Sequence, residues 1–202
     1  DRVVKGATTV SDHEPGCTVP HLGPDVYTRW RESELGAVTE RLEQDLILKL
    51  VDDVADCRVL DIGCGDGDLA VKLAQRGADV VGLDASQPML RAARRRASEQ
   101  KTDVALSRGL AERLPFADES FDVVVAVTIL CFVPEAEGTF REIGRVLRPG
   151  GRLVIGELGK WSTWAARRRI KAWCGSPLWR FGHFRTAHEL QQLTEAGGLI
   201  PG

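Results

Sequence analysis

The fold of this chain is decided by one stretch, Asp61-Ile62-Gly63-Cys64-Gly65-Asp66-Gly67. The stretch continues a short apolar run that begins at Arg58, and a helical pattern from Asp68 to Gln75 follows it. A buried strand that passes through a glycine turn into a helix is typical of the first unit of an open α/β sheet. Glycine at such a turn accepts a positive φ and lets a ligand approach the backbone closely.

The same alternation continues on the C-terminal side of this stretch. We predict strands at 79–83, 104–106, 121–127 and 152–156, with helices at 86–97 and 136–147 and a last helix that begins at Thr186. Strands that alternate with helices imply right-handed crossovers and a parallel sheet. Continuous Val, Leu and Ile runs fit strands that are buried on both faces. The sequence therefore predicts a doubly wound, Rossmann-like α/β fold.

The domain organisation follows from the length of 202 residues, which suits one globular domain. We expect residues 1–24 to form a flexible arm and residues 25–202 to form a single domain. Within it we expect a helical cap (25–56), a cofactor-binding core (57–157) and a basic, aromatic helical region (158–202). The cap should contain one or two amphipathic helices leading into the core, because these apolar residues fall at helical spacing: Leu35, Val38, Leu42, Leu46, Ile47 and Leu50.

Composition narrows the classes of function. The net charge of -2 gives no global basic field for nucleic acid, and no apolar run approaches the about 18 residues of a spanning helix. The cysteines form no CxxC pair, which favours reduced thiols over disulfides or a metal site: Cys17, Cys57, Cys64, Cys131 and Cys174. We therefore expect a cytoplasmic protein without a metal and without a nucleic-acid partner.

The spacing of the glycines favours a ligand without phosphates. A dinucleotide turn needs GxGxxG, whereas Asp68 stands where its third glycine would be, and a carboxylate there would repel a pyrophosphate. Asp61, at the end of the first strand, can bind an amino group or organise water. Asp84, at the end of the second, can accept the hydroxyls of a ribose or cap the next helix.

Several segments together resemble the class I S-adenosylmethionine-dependent methyltransferases. Residues 60–67 are similar to motif I of that family. The segments 111–116, 120–122 and 145–153, with Tyr27, Trp30 and Leu35-Gly36 before them, resemble its ubiquinone/menaquinone-biosynthesis-like, type 11 branch. The resemblance spans roughly residues 26 to 198. It implies S-adenosylmethionine as the cofactor and methyl transfer as the reaction.

The resemblance also implies a set of cofactor contacts at the carboxyl ends of the strands. In this set the glycine loop holds the methionine part, the end of the second strand the adenosine and ribose, and the loop after the third strand the adenine. Thr128 would line the transfer point, and Tyr27 with Trp30 would form part of a lid. The implied contacts are Tyr27, Asp61, Gly63, Cys64, Gly65, Gly67, Asp84, Ala85, Met89, Ala111, Glu112 and Thr128.

The chain departs from the family pattern in two places. Many relatives carry Asp where this chain has Leu110, so the contact to the adenine amine would be lost or would pass to Glu112. The antiparallel strand pair that completes the family's sheet cannot fit into residues 198–202. We therefore expect either a fragment or a sheet edge that is covered by another chain, as in a homodimer.

The acceptor and any catalytic base are less defined by the sequence. Bases and aromatics interleave between Trp161 and Phe181, and we interpret this stretch as the cover of a small, lipophilic or aromatic acceptor. Binding of nucleic acid or of an anionic membrane surface is the alternative. No catalytic dyad is visible; Glu157, His183 and His188 are candidate bases. The rival hypotheses are a homologue that binds without turnover and an NAD-type oxidoreductase.

Overall fold

The structure is a computed structural model that describes residues 24–162, 165 and 182–201, with residues 25–27 described by their backbone alone. The predicted N-terminal arm, apart from Pro24, lies outside the described residues. So does most of the basic, aromatic stretch between Trp161 and Phe181.

The described elements alternate as the sequence predicts. The helices are α1 (Pro24–Arg31), α2 (Glu34–Leu50), α3 (Asp68–Ala74), α4 (Gln87–Glu99), α5 (Ala136–Val146) and α6 (Ala187–Ala196). The strands are β1 (Arg58–Ile62), β2 (Asp79–Asp84), β3 (Ala105–Arg108), β4 (Phe121–Val127) and β5 (Leu147–Gly156). A single 3-10 turn, Leu130–Phe132, follows β4.

The strands form one parallel sheet in the order β3-β2-β1-β4-β5. Ile62, the last residue of β1, is in register with Leu83 of β2 and Ala126 of β4. The carboxyl ends of these strands therefore meet at one edge on either side of the point where the strand order reverses, which is where open α/β sheets bind ligands. The predicted doubly wound, Rossmann-like fold is confirmed.

Local signals in the sequence mark where several helices begin or end in the structure. Gly77 takes a φ of 90° just beyond α3. Ser86 caps α4 by accepting a hydrogen bond from the Met89 amide. Thr186 and Glu189 form a reciprocal capping box at the start of α6. The start of β5 was predicted too late, because Leu147 already pairs with Phe121 before the register shifts around Pro149 and the glycines that follow it.

Hydrophobic side chains fill both faces of the sheet. On one face α5 packs through the fully buried Phe140 and Ile143 beside Phe121. On the other face α2 and α3 pack through Ile47 and Leu73. Because both faces are covered, the strands can be almost wholly apolar, and residues 123–126 of β4 are at most 1% exposed.

Most of the apolar residues whose spacing predicts α2 are exposed. Of the predicted set only Ile47 is buried; five are more than half exposed, namely Leu35, Val38, Leu42, Leu46 and Leu50. Gly36 fixes the rotation of the helix, since a Cβ there would lie 1.9 Å from the carbonyl oxygen of Trp30. The face that turns inward instead carries Glu40, which is 8% exposed and pairs with Arg31.

The far edge of the sheet lies at β5, which pairs with β4 alone among the strands that the structure describes. No helix within the described part of the chain is both long and apolar enough to cross a membrane.

Candidate cofactor site

The glycine loop between β1 and α3 adopts the left-handed conformations that only glycine takes at low cost. Gly63, Gly65 and Gly67 have φ values of 73°, 56° and 78°. A Cβ on Gly63 would lie 2.8 Å from the Ile129 Cβ, and one on Gly67 would lie 2.8 Å from the Ala93 Cβ. At Gly65 no atom of the described residues lies within 4 Å of the Cβ position. Packing therefore requires two of the glycines, and Gly65 presents an open face.

Asp61 is a buried carboxylate, and one of its oxygens lacks a hydrogen-bond partner among the described residues. It is 2% exposed, and its Oδ2 accepts no hydrogen bond from the residues that the structure describes. Burial, followed by the nearby charge of Asp84, raises its pKa to about 7. An uncompensated buried carboxylate is costly, so this position suits a ligand that brings a cation and N–H donors. The α-ammonium group of S-adenosylmethionine fits this requirement.

Asp84 ties the glycine loop to the end of β2. Its Oδ2 accepts a hydrogen bond from the Gly65 amide at 2.9 Å, and its Oδ1 accepts one from the Ser86 amide at 2.8 Å. The Gly63 and Cys64 amides both donate to the carbonyl oxygen of Leu83. Each carboxylate oxygen has a second lone pair, so Asp84 can hold the loop and still accept a hydroxyl. Asp61 and Asp84 lie at the same loop, as the sequence interpretation requires.

A pair of arginines anchors Asp66, a contact that sequence reasoning missed. Arg31 of α1 donates to both Asp66 oxygens, at 2.7 and 3.0 Å, and Arg96 of α4 donates to Oδ2 at 2.5 Å. Asp66 itself is only 5% exposed. Its place inside the glycine loop was the one available signal, since the arginines lie 35 and 30 residues away along the chain.

Asp68 pairs with two cationic side chains. Arg96 donates to its Oδ1 at 3.0 Å and Lys72 to its Oδ2 at 2.8 Å. Burial raises the pKa of Asp68, but hydrogen bonds from Lys72 and Gln44 outweigh burial and lower it overall. The charge that the sequence analysis set against a pyrophosphate is therefore paired with Arg96 and Lys72.

Thr128 follows β4 at the predicted transfer point in an unusual conformation. Its φ is 54°, which is uncommon for a β-branched residue and is seen where surrounding contacts hold the backbone. Its amide donates to the carbonyl oxygen of Gly156 at 2.7 Å, and its Oγ1 donates to Glu43 of α2 at 3.3 Å. Glu43 is a second residue at this end of the site that the sequence did not indicate.

The segment after Thr128 is held from two sides. Glu157 accepts the Leu130 amide at 2.6 Å, and Arg185 donates to the carbonyl oxygens of Leu130 and Val133 at 2.5 and 2.6 Å. Glu157 is partly exposed as a residue, but its carboxyl group is buried. This burial raises the pKa of the carboxyl group to about 7, although hydrogen bonds from the Leu130 and Cys131 amides act to lower it. Glu157 is thus engaged with backbone.

The remaining residues that the resemblance implies as cofactor contacts differ in how deeply they are buried. Met89 and Ala111 are buried at 7% exposure, and Ala85 is partly buried. Cys64 is buried, and burial raises the pKa of its thiol. Glu112 is exposed and lines an open cleft with Glu135, Arg141 and Arg185.

Two further predicted features lie at the margin of the site. Tyr27 belongs to α1, but its side chain lies outside the described residues. The histidines proposed as bases, His183 and His188, are both exposed, and the His183 amide donates to the carbonyl oxygen of Cys131.

Comparison with known proteins agrees with this geometry. Residues 60–155 match the family model described as "Methyltransferase domain". An uncharacterised protein of Mycobacterium tuberculosis is 33% identical over 193 residues, which are 96% of this chain and 64% of that protein. A demethylmenaquinone methyltransferase of Lactiplantibacillus plantarum is 42% identical over 105 residues, covering 50% of this chain and 44% of that enzyme.

The solved structures include a protein described as a SAM-dependent methyltransferase, possible histamine N-methyltransferase, from Thermotoga maritima. It superposes with a TM-score of 0.71 at 29% identity, over 86% of this chain and 76% of that chain. The chain spans less than two thirds of the length of the two curated relatives described above.

Proposed function

We propose that the core of this chain, residues 60–155, is a class I S-adenosylmethionine-dependent methyltransferase domain. On this basis the protein transfers a methyl group from S-adenosylmethionine to a small acceptor. The observation that carries the proposal is the unpartnered carboxylate oxygen of Asp61 beside the open face of Gly65. A buried carboxylate can bind the ammonium group of an amino acid, and the glycine backbone beside it leaves room for an attached nucleoside. S-adenosylmethionine contains both parts.

The residues that would hold the cofactor are those at the ends of β1 and β2. Asp61 would accept hydrogen bonds from the ammonium group, and Gly63 and Gly65 would let the backbone approach the methionine part. Asp84 would accept from the ribose, with Ala85 and Met89 against the adenosine. Ala111, which follows β3, would contact the adenine. Glu112 and Tyr27 are assigned to the site by the family resemblance alone.

The chemistry of the bond that breaks belongs to the cofactor, whose sulfonium makes its methyl group electrophilic. The chain's own residues bind and orient the reactants and exclude water. Glu157 and Arg185 hold the backbone after β4, and Glu43 holds Thr128, so that the wall of the transfer point is rigid. We assign Glu157 this positioning role, because backbone amides occupy its carboxyl group.

We propose a lipophilic or aromatic acceptor. A relative named demethylmenaquinone methyltransferase supports this proposal. The interleaved tryptophans and arginines after Trp161 have the composition of a cover over such an acceptor. We further propose that residues 25–202 act as one domain, with the cap, core and basic region defined above.

Calorimetry on the chain tests the cofactor. We expect S-adenosylmethionine and S-adenosylhomocysteine to bind, and NAD to show no heat of binding at the same concentrations. Asp61→Asn should weaken binding by about tenfold or more, because a charged hydrogen bond is lost. The exposed Asp103→Asn serves as the matched control. Preferential uptake of NAD would overturn the proposal.

A homologue that binds the cofactor without turnover is the second candidate. The observation in its favour is Leu110, which stands at the position where many relatives carry Asp and is 41% exposed. Turnover on a panel of quinols, phenols and amines separates the two. Methylation of any member supports the enzyme, whereas binding without product across the panel supports the second candidate.

A further inference from the structure

Helix α2 directs most of its large apolar side chains outward. Five of them form one stripe along its exposed face, at intervals of three and four residues, and they are between 51% and 65% exposed: Leu35, Val38, Leu42, Leu46 and Leu50. The opposite face of α2 carries the residues buried against the sheet and α1, among them Gly36 and Ile47. We call the exposed set the leucine stripe.

A stripe of this kind is unusual for a surface that meets only water. Scattered exposed leucines are common, but contiguous apolar patches on monomers seldom exceed a few hundred Å² and often mark interaction sites. The spacing keeps the leucine stripe on one side of the helix along its whole length. The surface therefore suits a second helix that lies along it.

The charged residues beside the leucine stripe indicate which helix could pack against it. Glu34, Arg41, Asp45 and Lys49 are all exposed and lie on one flank of the stripe. Along the helix their signs alternate as negative, positive, negative, positive. Read in the opposite direction the order is positive, negative, positive, negative, so an antiparallel copy of α2 presents the complementary sign at each position.

We propose that α2 pairs with α2 of a second copy of this chain in an antiparallel, two-fold symmetric dimer. A two-fold axis perpendicular to both helices places each flank against the same flank of its partner. Near Leu42 as the centre, Glu34 then faces Lys49 of the partner subunit, and Arg41 approaches Asp45 of the partner subunit. The leucine stripes of the two helices bury each other between these ion pairs.

The charge pattern favours this occupant over a membrane. Helices that lie on anionic lipid carry an excess of Lys and Arg on their polar side. The flank of the leucine stripe instead carries two acids and two bases. This contact differs from the dimer across the edge of β5 that the sequence suggested, because it uses the exposed face of helix α2 and not the edge of the sheet.

Sedimentation equilibrium of the 202-residue chain over a range of concentrations tests the proposal. We expect wild type to dimerise and Leu42→Glu to remain monomeric, because it places two charges at the centre of the apolar contact. Leu42→Ala, which adds no charge, should weaken the dimer less. Ile200→Glu is the matched control, since Ile200 is apolar and 94% exposed elsewhere on the surface. Circular dichroism checks that each variant is folded.

Charge reversal tests the antiparallel register. Glu34→Lys and Lys49→Glu should each raise the dimer dissociation constant by about tenfold, because two attractive contacts become repulsive. The double variant should regain the wild-type constant. A wild type that stays monomeric, a dimer unaffected by Leu42→Glu, or a double variant without recovery would overturn the proposal. So would a monomer that floats with phosphatidylserine vesicles.

Discussion

At Gly65 the effect of a substitution on backbone strain can be distinguished from its effect on ligand binding, because Gly150 provides a matched position. It shares two properties with Gly150: both have a positive φ, of 56° and 78°, and neither Cβ position has an atom of the described residues within 4 Å. Gly65 lies at the carboxyl edge of the sheet, whereas Gly150 lies at the opposite edge, where the register of β5 shifts between Leu147 and Arg152. Only the first faces the candidate cofactor site.

Alanine at these two positions should have the same effect on stability and different effects on binding. We expect Gly65→Ala and Gly150→Ala each to lower the free energy of unfolding by about 1 kcal/mol, since a side chain is strained at positive φ. Only Gly65→Ala should weaken the binding of S-adenosylhomocysteine, by about tenfold or more, because its methyl group enters the space beside the loop. Denaturant titration and calorimetry measure the two effects. Equal affinity in both variants would mean that no ligand lies against Gly65.

At the scale of elements, three helices are joined through the glycine loop rather than through apolar contacts alone. Arg31 connects α1 to Asp66, and Arg96 connects α4 to both Asp66 and Asp68 at the start of α3. The side chain of Asp66 is 7% exposed, so solvent screens these pairs only weakly. Breaking such a pair leaves a desolvated charge behind.

Arg96 and its neighbour Arg95 provide a matched test on one helix. We expect Arg96→Ala to lower the free energy of unfolding by about 2–3 kcal/mol, with Arg31 still neutralising part of the charge on Asp66. Arg95 is exposed, and Arg95→Ala should change stability by about 0.5 kcal/mol or less. Urea unfolding of the three proteins measures both effects. Equal stability of the two variants would show that the loop does not depend on this anchor.

At the scale of the whole molecule, two sets of carboxyl groups oppose each other in their pH dependence. Asp61 and Glu157 have pKa values raised to about 7 by burial, so between about pH 4 and 7 the folded chain holds protons that the unfolded chain has released. The free energy of unfolding therefore falls as pH rises through this window. Asp122 and Glu142 have lowered pKa values, so their contribution is present above about pH 4 and is lost as pH falls through their folded values.

The thermal unfolding midpoint of the ligand-free chain should therefore be highest in acidic solution, at about pH 4, and should decrease towards pH 7. Asp61→Asn removes one of the groups that cause this decrease, so the slope of the falling limb should be smaller in that variant. Asp103→Asn, at an exposed position, should leave the slope unchanged. A midpoint that rises steadily from pH 5 to pH 8 in the wild type would contradict the buried protonated state of Asp61.

The sequence by itself determined the fold, the order of the elements and the position of the glycine loop. The reason is that these depend on local signals: apolar runs, glycine at positive φ, and caps such as Ser86 and Thr186 that act within three residues of themselves. It also indicated that Asp61 and Asp84 meet, because the carboxyl ends of neighbouring parallel strands lie at one edge.

Only the tertiary structure decided which face of α2 is buried, which side chains hold the glycine loop, and which groups Glu157 contacts. The apolar periodicity of α2 reveals that a stripe exists, but the contact of Gly36 with Trp30 and the pairing of Glu40 with Arg31 turn that stripe outward. Arg31 and Asp66 are 35 residues apart, and Arg185 is 55 residues from Leu130. Contacts at such separations leave no periodic trace in a sequence, since they arise from how whole elements pack.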